Sequence, residues 1–496
     1  MTRPTPNDRR ASALGVLMPG FVGTRLPDWV GALLQEGLGG ICLFGHNTDT
    51  PAQVAALVDA VRSANPLAVV AIDEEGGEVS RLHQRDGSPF PGNAVLGRID
   101  DVEATRSVGR AVGAQLAEVG IHLTLAPDAD VNSNPDNPVI GVRSFGADPI
   151  AVAAHTAAWT DGVQAAGVAA CAKHFPGHGD TSTDSHVSEP VVTADAATLT
   201  DRELVPFRAA IAAGTRAVMT SHIRVPALDP DAVATFSSIV LEDLLRDEMG
   251  FDGVIVTDAL DMAGASGVVG MPSAAVAAIA AGADLLCLGS DNSEHELEAI
   301  VDALVHADLA GELPPGRLTG AVERCGALAR WATDRQRAGS EHRCSTGEAV
   351  VDTRRVASSF TVSERAETLL ASSAPSVSWV RIEPEPNIAV GETPLGPFFD
   401  GGAVPSLVVP LDDRDVAAEY ATGPDVLTLV VGRELHRDPG ALAAAATIAD
   451  SCDALVVDLG VVGSDAIDLG VVDVATFGAS RLVGEALLAL VEGSPC

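Results

Sequence analysis

The stretch VAACAKHFPGHGDTSTDSH, residues 168–186, changes character part-way along. Its first residues are small or apolar without interruption, as in a strand covered on both faces. From Lys173 onward it gathers three histidines and two aspartates around Pro176, Gly177 and Gly179. Proline and glycines at that density make a loop rather than a helix. Titratable groups concentrated behind a buried strand mark a functional loop. Lys173 is also the only lysine in the chain.

Seven further apolar runs share this layout: GVLMPGF (15–21), GGICLF (39–44), AVVAIDEE (68–75), HLTLAPDADV (122–131), RAVMTSHI (216–223), DGVIVTDA (252–259) and DLLCLG (284–289). Between them lie PAQVAALVDAVRSA, EATRSVGRAVGAQLAEVG and TDRELVPFRAAIAAG, with apolar residues at helical spacing. Eight strand–helix units over residues 10–335 predict a (β/α)₈ TIM-type barrel. The alternative from pattern alone is a doubly wound open sheet. Asp73, Asp128, Lys173, His174, His222 and Asp258 all fall at the carboxyl ends of the runs. In a barrel those ends meet at one mouth, which favours the barrel.

The polar segment RQRAGSEHRCSTGEA (335–349) breaks the pattern. A linker is therefore expected over 336–350, with a smaller α/β open-sheet sandwich domain over 351–496. Its strands are expected at 377–382, 406–411, 425–432 and 453–460, and its helices at 440–450 and 480–492. No GxGxxG stands at a strand–helix junction, so no dinucleotide cofactor is called for.

The 496-residue chain has a formal net charge of −37, which disfavours nucleic acid and anionic membrane surfaces as partners. No apolar run reaches the length of a membrane span, and no secretory signal is evident. Seven scattered cysteines without a CxxC pair suggest reduced, buried thiols. A cytoplasmic protein is expected.

Asp184 and His186 lie two apart within the polar loop. A carboxylate next to an imidazole orients it and favours its protonated form, so the pair can give and take a proton. His and Asp at such spacings also suit a metal, but HExxH and HxH are absent, and no metal is expected. Asp258, in GFDGVIVTDALDM (250–262), ends a buried run. There it reads either as a helix N-cap or as a nucleophile. Asp73-Glu74-Glu75-Gly76-Gly77 suits sugar hydroxyls or a hard cation. Arg81 and Arg143 read as hydroxyl or carbonyl donors, or as structural ion pairs.

Taken together, these segments resemble family 3 glycoside hydrolases, in the β-N-acetylglucosaminidase branch. KHFPGHGDTSTDSH matches that branch's loop along its length, and GFDGVIVTDALDM resembles the nucleophile strand. AIDEEGG with Arg81, NSNPDNPVIGVRSFG (132–146) and ATFSSIVLEDLLRDEMGFDG (234–253) follow in the family's order. The resemblance implies a retaining hydrolase that acts on small oligosaccharides bearing terminal β-linked N-acetylglucosamine. Asp258 would be the nucleophile and His186, tuned by Asp184, the acid/base. Asp73, Arg81, Arg143, Lys173 and His174 would hold the sugar. The sequence departs from the family pattern at Glu78, where arginine is usual, and at Asp128, where an apolar residue is commoner.

Three other readings make distinct predictions. A phosphorylase would pass the sugar to phosphate, an acceptor that a histidine repels less than a carboxylate does. A metal hydrolase built on the histidine loop would lose activity to chelators. A binding protein with a decayed site would lack Asp258 or His186, and both are present.

Overall fold

Each of the eight predicted runs contains a parallel strand: β1 (Leu17–Met18), β2 (Gly40–Leu43), β3 (Val69–Ile72), β4 (Leu123–Thr124), β5 (Ala169–Phe175), β6 (Ala217–Thr220), β7 (Val254–Val256) and β8 (Leu286–Cys287). Every residue in them is buried, as strands with helices on one side and a core on the other require. Strands β2 to β7 form one parallel sheet in chain order, and β1 pairs with β8. A Val256–Leu285 bridge joins β7 to β8, and the Cys42 N–H donates to the Pro19 carbonyl between β2 and β1. The strands therefore close into a barrel, and the open-sheet alternative fails.

The computed structural model describes residues 5–182, 190–267, 269–340, 351–371, 376–382, 389–391, 394–399, 406–409, 426–460 and 470–492. They form two compact units. The barrel unit comprises Met1–Glu74, Val102–Val131 and Ala147–Glu348. The second comprises Glu75–Asp101, Asn132–Gly146 and Ala349–Cys496, so two segments that follow β3 and β4 in sequence group with the C-terminal part.

Barrel helices start where the sequence provides caps. Thr50 accepts from the Gln53 N–H ahead of helix Pro51–Ala64, and Asp148 caps Pro149–Ala165, each with proline in the first turn. Ser293 and Glu296 form a capping box for Glu294–Ala310, which ends at Gly311. Helix Arg317–Ser340 lies across the strand starts. Its Cys325, Leu328 and Ala329 join the barrel core, and Gln336 donates to the carbonyls of Ile121 and Gly167.

The second unit has a sheet in the order β11-β10-β12-β13-β14-β9, comprising β9 (Thr361–Val362), β10 (Ser376–Ile382), β11 (Ser406–Val409), β12 (Val426–Gly432), β13 (Ala454–Asp458) and β14 (Val474–Ala475). All neighbours are parallel except β14 and β9. Helices Pro439–Ser451 and Arg481–Val491 fall where helical spacing placed them. The two-residue strands β9 and β14 are too short to show a period and escaped the sequence reading. Among the described residues, no helix is long and apolar enough to cross a membrane.

Candidate active site

Alternation along the barrel strands selects the site residues. The core is built from Val69 and Ala71 of β3, Ala169 and Cys171 of β5, Val254 and Val256 of β7, and their counterparts on the other strands. Side chains alternate between the two faces of a strand, so the next inward position is 73 on β3, 173 on β5 and 258 on β7. Those positions hold Asp73, Lys173 and Asp258. Their convergence shows in the Cys171 thiol one layer below. Burial chiefly raises its pKa, Lys173 opposes the rise, and Asp73 and Asp258 add to it.

Lys173 is almost fully buried, and its Nζ lies 2.6 Å from Asp73 Oδ1. A buried ammonium is tolerated only when paired, and Asp73 supplies the counter-charge while staying partly open to solvent. The neighbouring residue, His174, is held by Asp130. Its Nδ1 lies 2.7 Å from Asp130 Oδ2, and the same carboxylate accepts from the N–H groups of His174 and His178. Asp128 Oδ1 in turn accepts from the Asp130 N–H at 3.0 Å. Both aspartates are fully buried.

Nδ1 lies against a carboxylate, so it donates, and the pairing with Asp130 fixes the tautomer and orientation of the ring. The ligand atoms of Asp128, Asp130 and His174 lie within 4.8 Å of one another, a spacing that could hold a cation. The hydrogen bonds already given use the same atoms to fix the imidazole. The sequence pointed to His174 but missed Asp130 as its anchor. The spacing Asp-x-Asp was visible, but the partner lies 44 residues away.

Asp258 follows β7 and is half-buried. The next helix, Ala263–Ser266, has Met262 at its N-cap position, so the capping alternative for Asp258 is ruled out. Asp258 Oδ1 accepts from the Ala259 N–H at 2.8 Å. The Ala259 carbonyl accepts from His222 Nε2 at 3.0 Å, and the other His222 nitrogen lies 2.9 Å from Thr235 Oγ1. Buried His222 thus holds the turn that presents Asp258.

Beneath the loop that follows β5 lies Glu203, fully buried. Its Oε1 accepts from Arg202 Nε at 2.5 Å, and Arg202 Nη2 donates to Asp180 of that loop at 2.7 Å. Gly177, at φ 129°, passes so close that a Cβ there would lie 2.7 Å from the Glu203 Cβ. Burial pushes the Glu203 carboxyl up to about 7. Arg202 opposes this, and Asp130 and Asp180 add to it. The sequence reading did not single out this residue, because it sits within an ordinary amphipathic segment.

In the second unit, Arg143 makes a buried bidentate pair with Glu75, with Nη2–Oε1 at 2.7 Å and Nε–Oε2 at 3.1 Å. Arg81 donates to the carbonyls of Ala389 and Val390 at 2.7 and 3.1 Å. Asp184 and His186 lie outside the described residues.

Comparison with known proteins agrees with this geometry. The glycosyl hydrolase family 3 N-terminal domain matches residues 27–328. A beta-hexosaminidase A from Pseudoalteromonas piscicida is 40% identical over 286 residues, and the chain spans about half of that relative (48%) and 53% of itself in the match. Beta-hexosaminidase LpqI from Mycobacterium tuberculosis is 36% identical over 64% of this chain and 81% of its own length. A solved family 3 beta-N-acetylglucosaminidase from a Paenibacillus species superposes with a TM-score of 0.84 at 31% identity, covering 99% of this chain and 97% of the other. The barrel, the site at its strand ends and these matches together place the chain in glycosyl hydrolase family 3.

Proposed function

We propose that this family 3 glycosidase removes terminal β-linked N-acetylglucosamine by double displacement. The observation that carries this reading is the convergence of Asp73, Lys173 and Asp258 on one inward layer above the barrel core. An Asp258 oxygen attacks the anomeric carbon and forms a glycosyl–aspartate ester while the bond to the leaving oxygen breaks. His186, paired with Asp184, gives its proton to that oxygen and then takes one from the water that cleaves the ester. Asp73 and Lys173 offer an acceptor and a donor to adjacent ring hydroxyls, and His174 joins them as the resemblance implies. Arg81 and Arg143, which the resemblance assigns to the sugar, are engaged in the second unit with the Ala389 and Val390 carbonyls and with Glu75. The beta-hexosaminidase names of the relatives and the beta-N-acetylglucosaminidase title of the structural neighbour support the choice of sugar.

Cell-wall fragments are the proposed natural substrates, and the cytoplasm the proposed place of action. No disulfide joins the described cysteines, which fits a reducing compartment. The test is initial-rate hydrolysis of a chromogenic β-N-acetylglucosaminide against the matching β-glucoside, with NMR of the first-formed anomer. A clear preference for the N-acetylglucosaminide and a β-anomeric product are expected. A β-glucoside preference would overturn the sugar assignment, and an α-anomer the double displacement.

A further inference from the structure

Regular strand pairing stops at or beside each of the three inward residues of the site. Strand β3 ends at Ile72, β7 ends at Val256, and the register of β5 on β6 shifts between Ala172 and Phe175. Asp73, Asp258 and Lys173 therefore stand where the backbone ladder no longer fixes the chain. In each case a side chain from a neighbouring strand end holds the residue that follows. Thr124 Oγ1 donates to the Glu74 carbonyl at 2.9 Å, and Asp130 accepts from the His174 N–H at 3.3 Å. His222 Nε2 lies 3.0 Å from the Ala259 carbonyl. All three holding side chains are fully buried.

The hold is most complete after Asp258. A carbonyl only accepts, so Nε2 of His222 carries a proton and donates it to Ala259. The other side of the same peptide is held by β8, where the Cys287 carbonyl accepts from the Leu260 N–H at 2.9 Å. The Ala259–Leu260 peptide plane is thus gripped from both barrel neighbours of β7. The Met262 N–H adds a longer bond to the Ala259 carbonyl at 3.2 Å and closes the turn. Just ahead of that plane, the Ala259 N–H donates to Asp258 Oδ1 at 2.8 Å. The imidazole is itself fixed. Its Nδ1 lies 2.9 Å from Thr235 Oγ1, a hydroxyl that donates to the Ser221 carbonyl at 3.0 Å and lies 2.8 Å from Thr220 Oγ1. Phe236 stacks on the ring with 23° between the planes.

Such a grip matters most for an attacking oxygen. Bond formation needs reacting atoms in line and in near contact, and a displacement of about 1 Å costs about 10²-fold in rate. A hydrogen bond to a sugar hydroxyl tolerates more bending. We infer that His222 is a positioning residue for the nucleophile. Through the Ala259 carbonyl it sets the direction of the Ala259 N–H, and that N–H sets the plane of the Asp258 carboxylate for attack on the anomeric carbon. Thr235 supports it by holding the far side of the ring. The inference rests on Asp258 being the nucleophile, and it assigns a role to a strand-end histidine that the double displacement itself leaves unused.

The test follows covalent labelling of the full chain by a 5-fluoro N-acetylglucosaminyl fluoride, an activated sugar whose ester hydrolyses slowly. Mass spectrometry locates the label and gives its rate per folded molecule, with circular dichroism as the check on folding. Labelling of Asp258 in the parent is expected. His222→Asn keeps an amide near the Nδ1 position and loses the donor to Ala259, so labelling should slow about 10²-fold. His222→Gln places an amide N–H near the Nε2 position and should bring the rate back to within about tenfold of the parent. Thr235→Val keeps the volume but loses the hydroxyl, and should slow labelling about fivefold, which decides the matter if His222→Asn does not fold. The inhibition constant of free N-acetylglucosamine should be the same in every variant. Labelling of His222→Asn at the parental rate, His222→Gln no faster than His222→Asn, or unaltered labelling of Thr235→Val would each overturn the inference. So would a loss of N-acetylglucosamine affinity that matches the slower labelling. A label on a residue other than Asp258 in the parent would instead overturn the nucleophile assignment, and the inference with it.

Discussion

The two ends of the barrel are both rich in charge, and they use it in opposite ways. At the strand starts Asp284, fully buried, is met by Arg246, by Arg317 at 3.1 Å and by Arg324 at 3.2 Å, and it also accepts from the Ile255 N–H. Helix Arg317–Ser340 covers that end, and its Thr333 lies 3.3 Å from His122 Nε2. At the strand ends the balance is reversed. Asp73, Asp128, Asp130, Asp258 and Glu203 are set against Lys173 and Arg202, and Asp73 and Asp258 remain partly open to solvent. An acid ringed by guanidiniums and capped by a helix can only hold the fold together. An excess of acids at an open rim can bind, attack and exchange protons. The contrast follows the division of labour expected of a barrel, with chemistry at the carboxyl ends and stability at the amino ends.

Substituting one aspartate at each end tests that contrast most severely. Asp258→Asn should lower kcat by about 10⁴-fold or more on N-acetylglucosaminides, with little change in melting temperature. Asp284→Asn should do the reverse. It leaves three guanidiniums without their anion and should cost about 3–5 kcal/mol of stability, while turnover per folded molecule is retained. Chemical denaturation and active-site-normalised rates separate the two. An Asp284 variant with normal stability would break the comparison.

Next in size is His186→Ala, expected to lower kcat about 10²–10⁴-fold on natural oligosaccharides and far less on aryl glycosides with good leaving groups. Loss independent of the leaving group would assign the proton transfer elsewhere. Adding phosphate to the same assay should leave the product as free sugar. Sugar-1-phosphate would show that phosphate, and not water, accepts the glycosyl group.

How much of this was legible in the sequence follows from the range of the interactions. Strands covered on both faces must be apolar throughout, so all eight announced themselves, and the polar residues at the ends of five of the runs marked the rim. The parity that selects positions 73, 173 and 258 was available too, since it requires only counting by twos. What was hidden depends on partners distant along the chain. Arg98 donates to the Ser359 carbonyl at 2.6 Å and Arg437 to the Asn137 carbonyl at 2.5 Å, contacts that draw residues 75–101 and 132–146 into the second unit. No local period records such pairings. Asp130 and Glu203 were missed for the same reason: their roles come from what folds over them.

The smallest predicted effect sharpens the comparison through pH. His122, at the strand starts, has its pKa lowered to about 4, by burial and then by Arg62. The unfolded chain takes up this proton near 6.5, so the stability His122 contributes is full above that pH and is lost as pH falls toward 4. Glu203, under the strand-end loop, behaves oppositely. Folded, it keeps its proton up to about 7, whereas the unfolded chain releases it near 4.5. Its contribution is therefore full below 4.5 and is lost as pH rises through 7. Between these limits the two slopes oppose, each with a span of roughly 3 kcal/mol. Melting curves of Glu203→Gln from pH 4.5 to 7 should rise with pH more steeply than those of the parent, and those of His122→Asn should fall. Parallel curves for all three proteins would mean that neither group is held in its buried protonation state. The two barrel ends would then differ in charge count alone.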